Sequence, residues 1–164
     1  MIDDDLMEAR SSAFGGVFVL AAHLTRLTDE GLADWGLTTR QWLLLAVLTR
    51  GFQGRAPSLT EAAEVYGSSR QNVKQIAAGL GARGFVRLVP DARDGRTTRL
   101  ELTDRVHIFD EPEGRDRGQA LIEAAMNGLT RDEVFDLRRL LRRWLAGVAP
   151  GSFDQARPGT IQQP

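Results

Sequence analysis

The stretch SSRQNVKQIAAGLGARGFVRLVPDARDGRTTRLELT, residues 68–103, changes its apolar period partway along. Val73, Ile76, Ala77 and Leu80 recur at i, i+3, i+4 and i+7, the spacing that gathers apolar side chains on one face of a helix. Gly84 reads as the stop of that helix. Beyond it the period becomes two, and FVRLV and TRLELT read as strands. In the second, Leu100 and Leu102 alternate with Arg99 and Glu101, the pattern of a half-buried antiparallel strand. The intervening PDARDGR is then a hairpin tip.

Upstream, a short helix is predicted from Leu59 to Tyr66, ending at Gly67, with the next helix starting directly after Ser68. Two helices joined by so short a glycine-containing turn form a helix-turn-helix. Helix starts are marked by capping boxes, in which a Ser or Thr hydroxyl and a Glu or Gln three residues on satisfy each other's orphan amides. Four are read here: Thr38 with Gln41, Ser58 with Glu61, Ser68 with Gln71, and Thr130 with Glu133.

The remaining helices follow the same rules. The first runs from about Leu6 to Ala33, with Val17, Leu20, Ala21, Leu24 and Leu27 at helical spacing along one face, and its apolar stretch from Ala13 to Leu24 reads as a buried helix. A second, Thr39 to Arg50, is apolar almost all round and should sit centrally. After Thr103, an N-cap, a helical stretch continues to about Met126, kinked or interrupted at Pro112. In the last helix, Val134, Leu137, Leu141, Trp144 and Val148 form a stripe widened by Leu140 and Leu145, more than a terminal helix needs for packing within one chain. The closing APGSFDQARPGTIQQP is polar and rich in Pro and Gly, the composition of a disordered tail.

The fold class expected is mainly α with a small β-hairpin wing: a winged helix-turn-helix core over residues 37–103, an N-terminal helix over 1–36, C-terminal helices over 104–149 and a tail over 150–164. A chain of 164 residues suits one such domain with attached helices. With no cysteine, disulfides and thiolate metal sites are excluded. The apolar stretch from Ala13 to Leu24 is too short to span a bilayer, and the acidic MIDDD before it is unlike a signal peptide, so a cytoplasmic location without membrane attachment is expected.

Formal net charge is −1, but its distribution is uneven. Seven basic residues against two acidic ones fall between Ser68 and Arg99, so the rest of the chain carries the negative balance. A basic helix beside an arginine-bearing hairpin suits duplex DNA. The helix can enter the major groove, where Arg70 suits guanine O6 and N7 and Gln71 or Asn72 suits adenine, while Lys74 and Gln75 lie along the same exposed face. Ser68 and Ser69, at the helix start, suit a phosphate. Arg93 and Arg96 sit at the hairpin tip, Arg96 placed to enter the minor groove. Asp94 is expected to hold the Arg96 guanidinium through a charge-assisted hydrogen bond.

With these residues in view, the sequence resembles the MarR family of winged-helix transcription regulators. Its signature of D-x-R, three residues, an aliphatic, one residue and Leu-Thr stands here as Asp94, Arg96, Leu100, Leu102 and Thr103. The likeness extends from about Leu37 to Val148. It departs at Gly95, where many relatives carry another arginine, and at Arg105, Val106 and His107, where a glycine is common. The resemblance implies a homodimer joined through the N-terminal and last two helices, reading a pseudo-palindromic operator in double-stranded DNA as a repressor and released by a small aromatic or phenolic effector.

Other chemistry finds little support. Two histidines and no cysteine fall short of a zinc set, and no metal or cofactor is expected. GLGARG ends a helix instead of opening one after a strand, which excludes a dinucleotide loop. No nucleophile with its base is evident, so no enzyme is expected. His23, Trp35 and Trp42 are the candidate effector residues, with ordinary packing as the plainer alternative. The class-different alternative is a winged-helix protein-interaction or structural dimer module without DNA binding.

Overall fold

A computed structural model describes residues 3–149. The tail expected to be disordered, 150–164, lies outside the described residues. Six helices and one two-stranded sheet make up the rest: α1 (Asp4–Leu32), α2 (Thr39–Gly51), α3 (Leu59–Tyr66), α4 (Arg70–Ala82), β1 (Val86–Pro90), β2 (Thr98–Leu102), α5 (Pro112–Ala125) and α6 (Arg131–Val148). This is the winged helix-turn-helix expected, with helices added at both ends.

Three of the four capping boxes form with both hydrogen bonds in place, at the starts of α2, α3 and α6. The fourth does not. α4 is capped by Ser69, whose hydroxyl accepts from the Asn72 amide at 3.2 Å, so the helix starts one residue later than Ser68 implied. Ser68 instead donates its backbone amide to Ala63, closing the end of α3 around Gly67 at φ +75°. Glycine is needed there because a side chain is strained at that dihedral.

The core lies among α2, α3, α4 and the hairpin. Leu44, Val47 and Leu48 of α2 meet Leu59 and Ala62 of α3, Val73, Ala77 and Leu80 of α4, and Leu100 of β2, all buried. Trp42 and Leu43 are exceptions to the expected burial of α2, at 37% and 38% exposed. Two glycines of α4 face close neighbours: a Cβ on Gly81 would lie 3.4 Å from the Val86 carbonyl, and one on Gly79 only 2.6 Å from the Gln41 amide. These two glycines lie where α4 meets α2 and β1.

Phe85 joins the parts. Fully buried between α4 and β1, it donates its amide to Leu80 and accepts at its carbonyl from the Thr103 amide, both at 3.0 Å. Its ring stacks on Phe109 at 5.9 Å, and Phe109 meets Trp35 edge-on at 5.2 Å.

The helical stretch after Thr103 is not continuous. Thr103 caps a 3-10 segment, Asp104–Phe109, and α5 starts afresh with Pro112 in its first turn. Proline is tolerated there because its missing amide would have no partner, and it holds Glu111 extended at ψ 154° instead of kinking a longer helix. A Cβ on the buried Gly114 would fall 2.1 Å from the Ile108 carbonyl, so this turn admits glycine alone.

α1 and α6 depart from the expected packing. The stretch 13–24 of α1, read as buried, is instead almost wholly exposed, with Phe14, Val17, Phe18 and Leu20 bare, and Leu32 is the one buried residue of the helix. α6 buries none of its residues.

Replacing Phe85 by alanine should lower unfolding free energy by about 3–5 kcal/mol, the range for a fully buried phenylalanine. Chemical denaturation followed by circular dichroism measures it, and Gly114→Ala should also destabilise through its clash with the Ile108 carbonyl.

Candidate nucleic-acid interface

The buried residues of α4, Val73, Ile76, Ala77 and Leu80, face the core and turn the opposite side of the helix outward. Arg70, Gln71, Lys74 and Gln75 are all exposed there, and Ser69 is exposed at the start. Asn72 differs from its expected partners. Its side-chain amide donates to the Ser68 hydroxyl at 2.8 Å in a partly buried pair, which holds the turn between α3 and α4. At the end of α4, Arg83 donates to the carbonyls of Gly36 and Gly79 and ties the helix to the turn before α2.

β1 and β2 pair antiparallel with Val86 opposite Leu102, Leu88 opposite Leu100 and Pro90 opposite Thr98. The tip between them is built on two aspartates. Asp91 Oδ1 accepts from the amides of Arg93 and Asp94 at 2.8 and 2.9 Å; Asp94 accepts from the Arg96 amide at 3.1 Å and the Thr97 hydroxyl at 3.0 Å. This corrects one expectation. Asp94 shapes the backbone through its own turn and, among the described residues, makes no hydrogen bond or ion pair with the Arg96 guanidinium. The short aspartate reaches the nearby backbone more readily than a long side chain directed outward. Arg93 and Arg96 stand exposed at the tip.

Arg99 has a role that the sequence pattern did not indicate. Its Nε donates to Asp91, its Nη1 donates to the Ala56 carbonyl at 2.9 Å, and Glu61 at the start of α3 lies 3.7 Å away. Beside it the Leu100 amide donates to Pro57 at 2.8 Å, and Ser58 pairs with Arg99 as a single β-bridge. The wing is thus joined to the helix-turn-helix by backbone and charge together. A signal was present in the hairpin register, which brings Asp91 and Arg99 to the same end of the sheet.

The Arg99 guanidinium, followed by the Arg93 and Asp94 amides, pushes the Asp91 carboxyl down to about 2. Glu61 is also lowered, first by the Ser58 amide of its capping box and then by Arg55, which donates to it at 2.7 Å. Asp29 of α1 is lowered by the amide and hydroxyl of Thr39, a contact that fastens the two helices.

The three candidate effector residues are not brought together. Trp35 is half-buried and lines an open cavity of about 410 Å³ with Asp34, Arg105, Ile108, Glu111, Glu113, Gly114 and Arg117. Arg117 lies over the Trp35 ring at 5.7 Å, pairs with Asp34 and reaches Glu113 at 2.9 Å. His23 is exposed on α1 and Trp42 on α2, and neither lines this cavity. Among the described residues there is no cluster of three or more His, Cys, Asp or Glu able to hold a metal, and no helix long and apolar enough to cross a membrane.

A sequence model of the MarR family matches residues 35–97, from the turn after α1 to the wing tip. The transcriptional activatory protein BadR of Rhodopseudomonas palustris is 30% identical over 100 residues, 61% of this chain and 57% of that protein. The matched region therefore spans little more than half of that relative. Among solved structures, a mutant MarR from E. coli complexed with operator DNA superposes with TM-score 0.68 at 23% identity, over 79% of this chain and 90% of that one. A probable transcriptional regulator from Pseudomonas aeruginosa gives 0.67 at 22%, over 78% and 92%. These two establish the likeness of fold.

Asp91 supplies a pH test of the wing anchor. Its carboxyl is at about 2 in the folded chain against an ordinary 3.8, so its stabilisation is fully present above about pH 4 and is lost as pH falls towards 2. The thermal midpoint of Asp91→Asn should therefore lie below that of the parent at pH 6, with the difference shrinking between pH 4 and pH 2. A difference unchanged over that interval would remove the anchor from the account.

Proposed function

We propose that the chain is a member of the MarR family of winged-helix transcription regulators, a model of which matches residues 35–97, and that it is a homodimeric, sequence-specific DNA-binding repressor that occupies a pseudo-palindromic operator. Members of that family regulate transcription and are not enzymes. The observation that carries the reading is the pairing of two exposed basic elements on one rigid body: Arg70, Gln71, Lys74 and Gln75 on α4, and Arg93 and Arg96 on the wing.

α4 has the dimensions to lie in a major groove, its first turn against base edges. The wing then reaches the adjacent minor groove, where an arginine meets concentrated negative potential. Arg96 is well suited to insertion because its amide is fixed by Asp94 while its guanidinium extends from an exposed tip. Ser69 and Lys74 serve the phosphates, and Ser68 with Asn72 keeps the turn in shape.

Two copies are part of the reading. Phe14 and Phe18 of α1, and Leu141 and Trp144 of α6, are between 42% and 64% exposed in one chain. Apolar surface of this extent calls for a covering partner, and a second copy provides two recognition helices for a two-fold operator. A small aromatic effector would find Trp35 and the cation of Arg105 in the cavity. Activation is the second reading of the regulatory sign, because the Rhodopseudomonas palustris relative is an activatory protein.

Fluorescence anisotropy against the upstream intergenic duplex and a scrambled control, at two salt concentrations, tests the binding. Arg70→Ala should weaken the specific complex by about 1–3 kcal/mol and relax preference at one base pair, whereas Lys74→Ala should weaken both duplexes alike and reduce the salt slope by about 1. Arg96→Ala should weaken the specific complex. Equal, salt-independent and weak binding to both duplexes would return the chain to the alternative of a protein-interaction module.

A further inference from the structure

We propose that α2 is a third DNA-contacting element, with Arg40 in its first turn meeting a backbone phosphate on the rim of the major groove away from the wing. The inference rests on the DNA-binding reading and extends it beyond α4 and the hairpin, to a cation outside the basic stretch 68–99.

Arg40 is exposed. Among the described residues its guanidinium makes no hydrogen bond or ion pair, whereas Arg55 pairs with Glu61, Arg87 with Glu101 and Arg99 with Asp91. Its backbone is nevertheless fixed. The preceding Thr39 donates its amide and its hydroxyl to Asp29 at 2.6 and 2.8 Å, and the Tyr66 hydroxyl donates to the Arg40 carbonyl at 3.3 Å.

Tyr66 is the single tyrosine of the chain and the last residue of α3. Burial pushes its phenol up and the Arg40 charge opposes that, so the guanidinium shares a corner with the polar end of the ring. From Tyr66 the chain reaches Arg70 in four residues. The turn between them is closed by the Ser68 amide on the Ala63 carbonyl at 3.1 Å and by Asn72 on the Ser68 hydroxyl. Arg40 is thereby fastened beside the start of α4.

The wing is seated at the opposite end of α3, where Ser58 bridges Arg99 and Glu61 lies 3.7 Å from its guanidinium. The eight residues of α3 cover about 12 Å at 1.5 Å each, close to the width of the major groove. With α4 in that groove, the wing and Arg40 fall on opposite rims. A guanidinium there offers forked donors to a phosphate, and no carboxylate of the protein competes for it.

Anisotropy titrations of the full chain against the specific and scrambled duplexes, over a series of salt concentrations, test this with Arg40→Ala and Arg40→Lys. Arg40→Ala should weaken both duplexes roughly fivefold and reduce the salt slope by about 1, the loss of one phosphate contact. Arg40→Lys should keep the parental slope, because the charge is retained. Neutral methylphosphonate links placed one at a time then locate the contact. The parent should lose affinity at a link on the rim away from the wing where Arg40→Ala loses nothing further, while Arg96→Ala remains sensitive there. Parental affinity and slope in Arg40→Ala, or a parent insensitive to every link on that rim, overturns the Arg40 contact and leaves the DNA-binding reading standing. The second of these outcomes uses the parent alone and so does not depend on how the variants fold. A parent that binds neither duplex at low salt overturns both.

Discussion

Burial of Phe85 is the constraint on which the arrangement of the winged core depends. The residue follows the left-handed Gly84, so the chain can leave α4 and turn at once into β1 without exposing the ring. Its amide closes the end of α4 and its carbonyl receives Thr103 at the end of β2. One residue thereby fixes the exit of α4 and the base of the hairpin stem and, through its ring against Phe109, the segment leading to α5. The Arg105 guanidinium lies over the same ring at 5.0 Å and screens it from solvent.

The contacts that hold the wing become more local towards its tip. The stem is held by leucines and by the backbone pairing to Pro57, the shoulder by Arg99 between Asp91 and the α3 start, and the tip only by local aspartate turns. Arg99 is half-buried and already paired, which removes it from the set of cations available to a ligand. The basic charge left for contact is concentrated on α4 and at Arg93 and Arg96. Seven bases counted along the chain are therefore a mixture of structural and surface charge. Arg83, tied to the Gly36 carbonyl, also belongs to the first kind, and Arg87 faces Glu101 across the sheet.

The fold was legible where period and capping chemistry agreed. Val73, Ile76, Ala77 and Leu80 identify the buried face of α4 because nothing competes with their spacing, and three capping boxes mark helix starts because each uses two reciprocal hydrogen bonds. The Ser68 box failed because adjacent serines offer two caps, and the Schellman turn at Gly67 took the first of them for α3. Pro112 was ambiguous, since proline reads equally as a break and as a first helical residue until the extended Glu111 is known. In the candidate site, the exposed basic residues followed from helical face alone, but the partners of Asp91 and Arg99 depend on strand register and on Ala56, forty-three residues before Arg99. Pairing at that separation leaves no local period to read. Trp35 and Trp42 looked equivalent for a similar reason: both flank the start of α2, yet one faces the cavity and the other solvent.

The positions of these aromatics bear on how a cavity ligand could influence DNA. Trp35, Phe109 and Phe85 form an unbroken series of ring contacts from the cavity wall to the end of α4. Contiguity alone does not transmit a signal; the ligand must favour one of two arrangements over the other. At the cavity wall, Arg117 joins Asp34 after α1 to Glu113 at the start of α5 while lying over Trp35. An anion in the cavity would compete with both carboxylates for that guanidinium. The coupling available is bounded by the difference in ligand affinity with the bridge made and broken, so any control of DNA binding from this cavity is limited by the chemistry of one arginine and its two exposed partners.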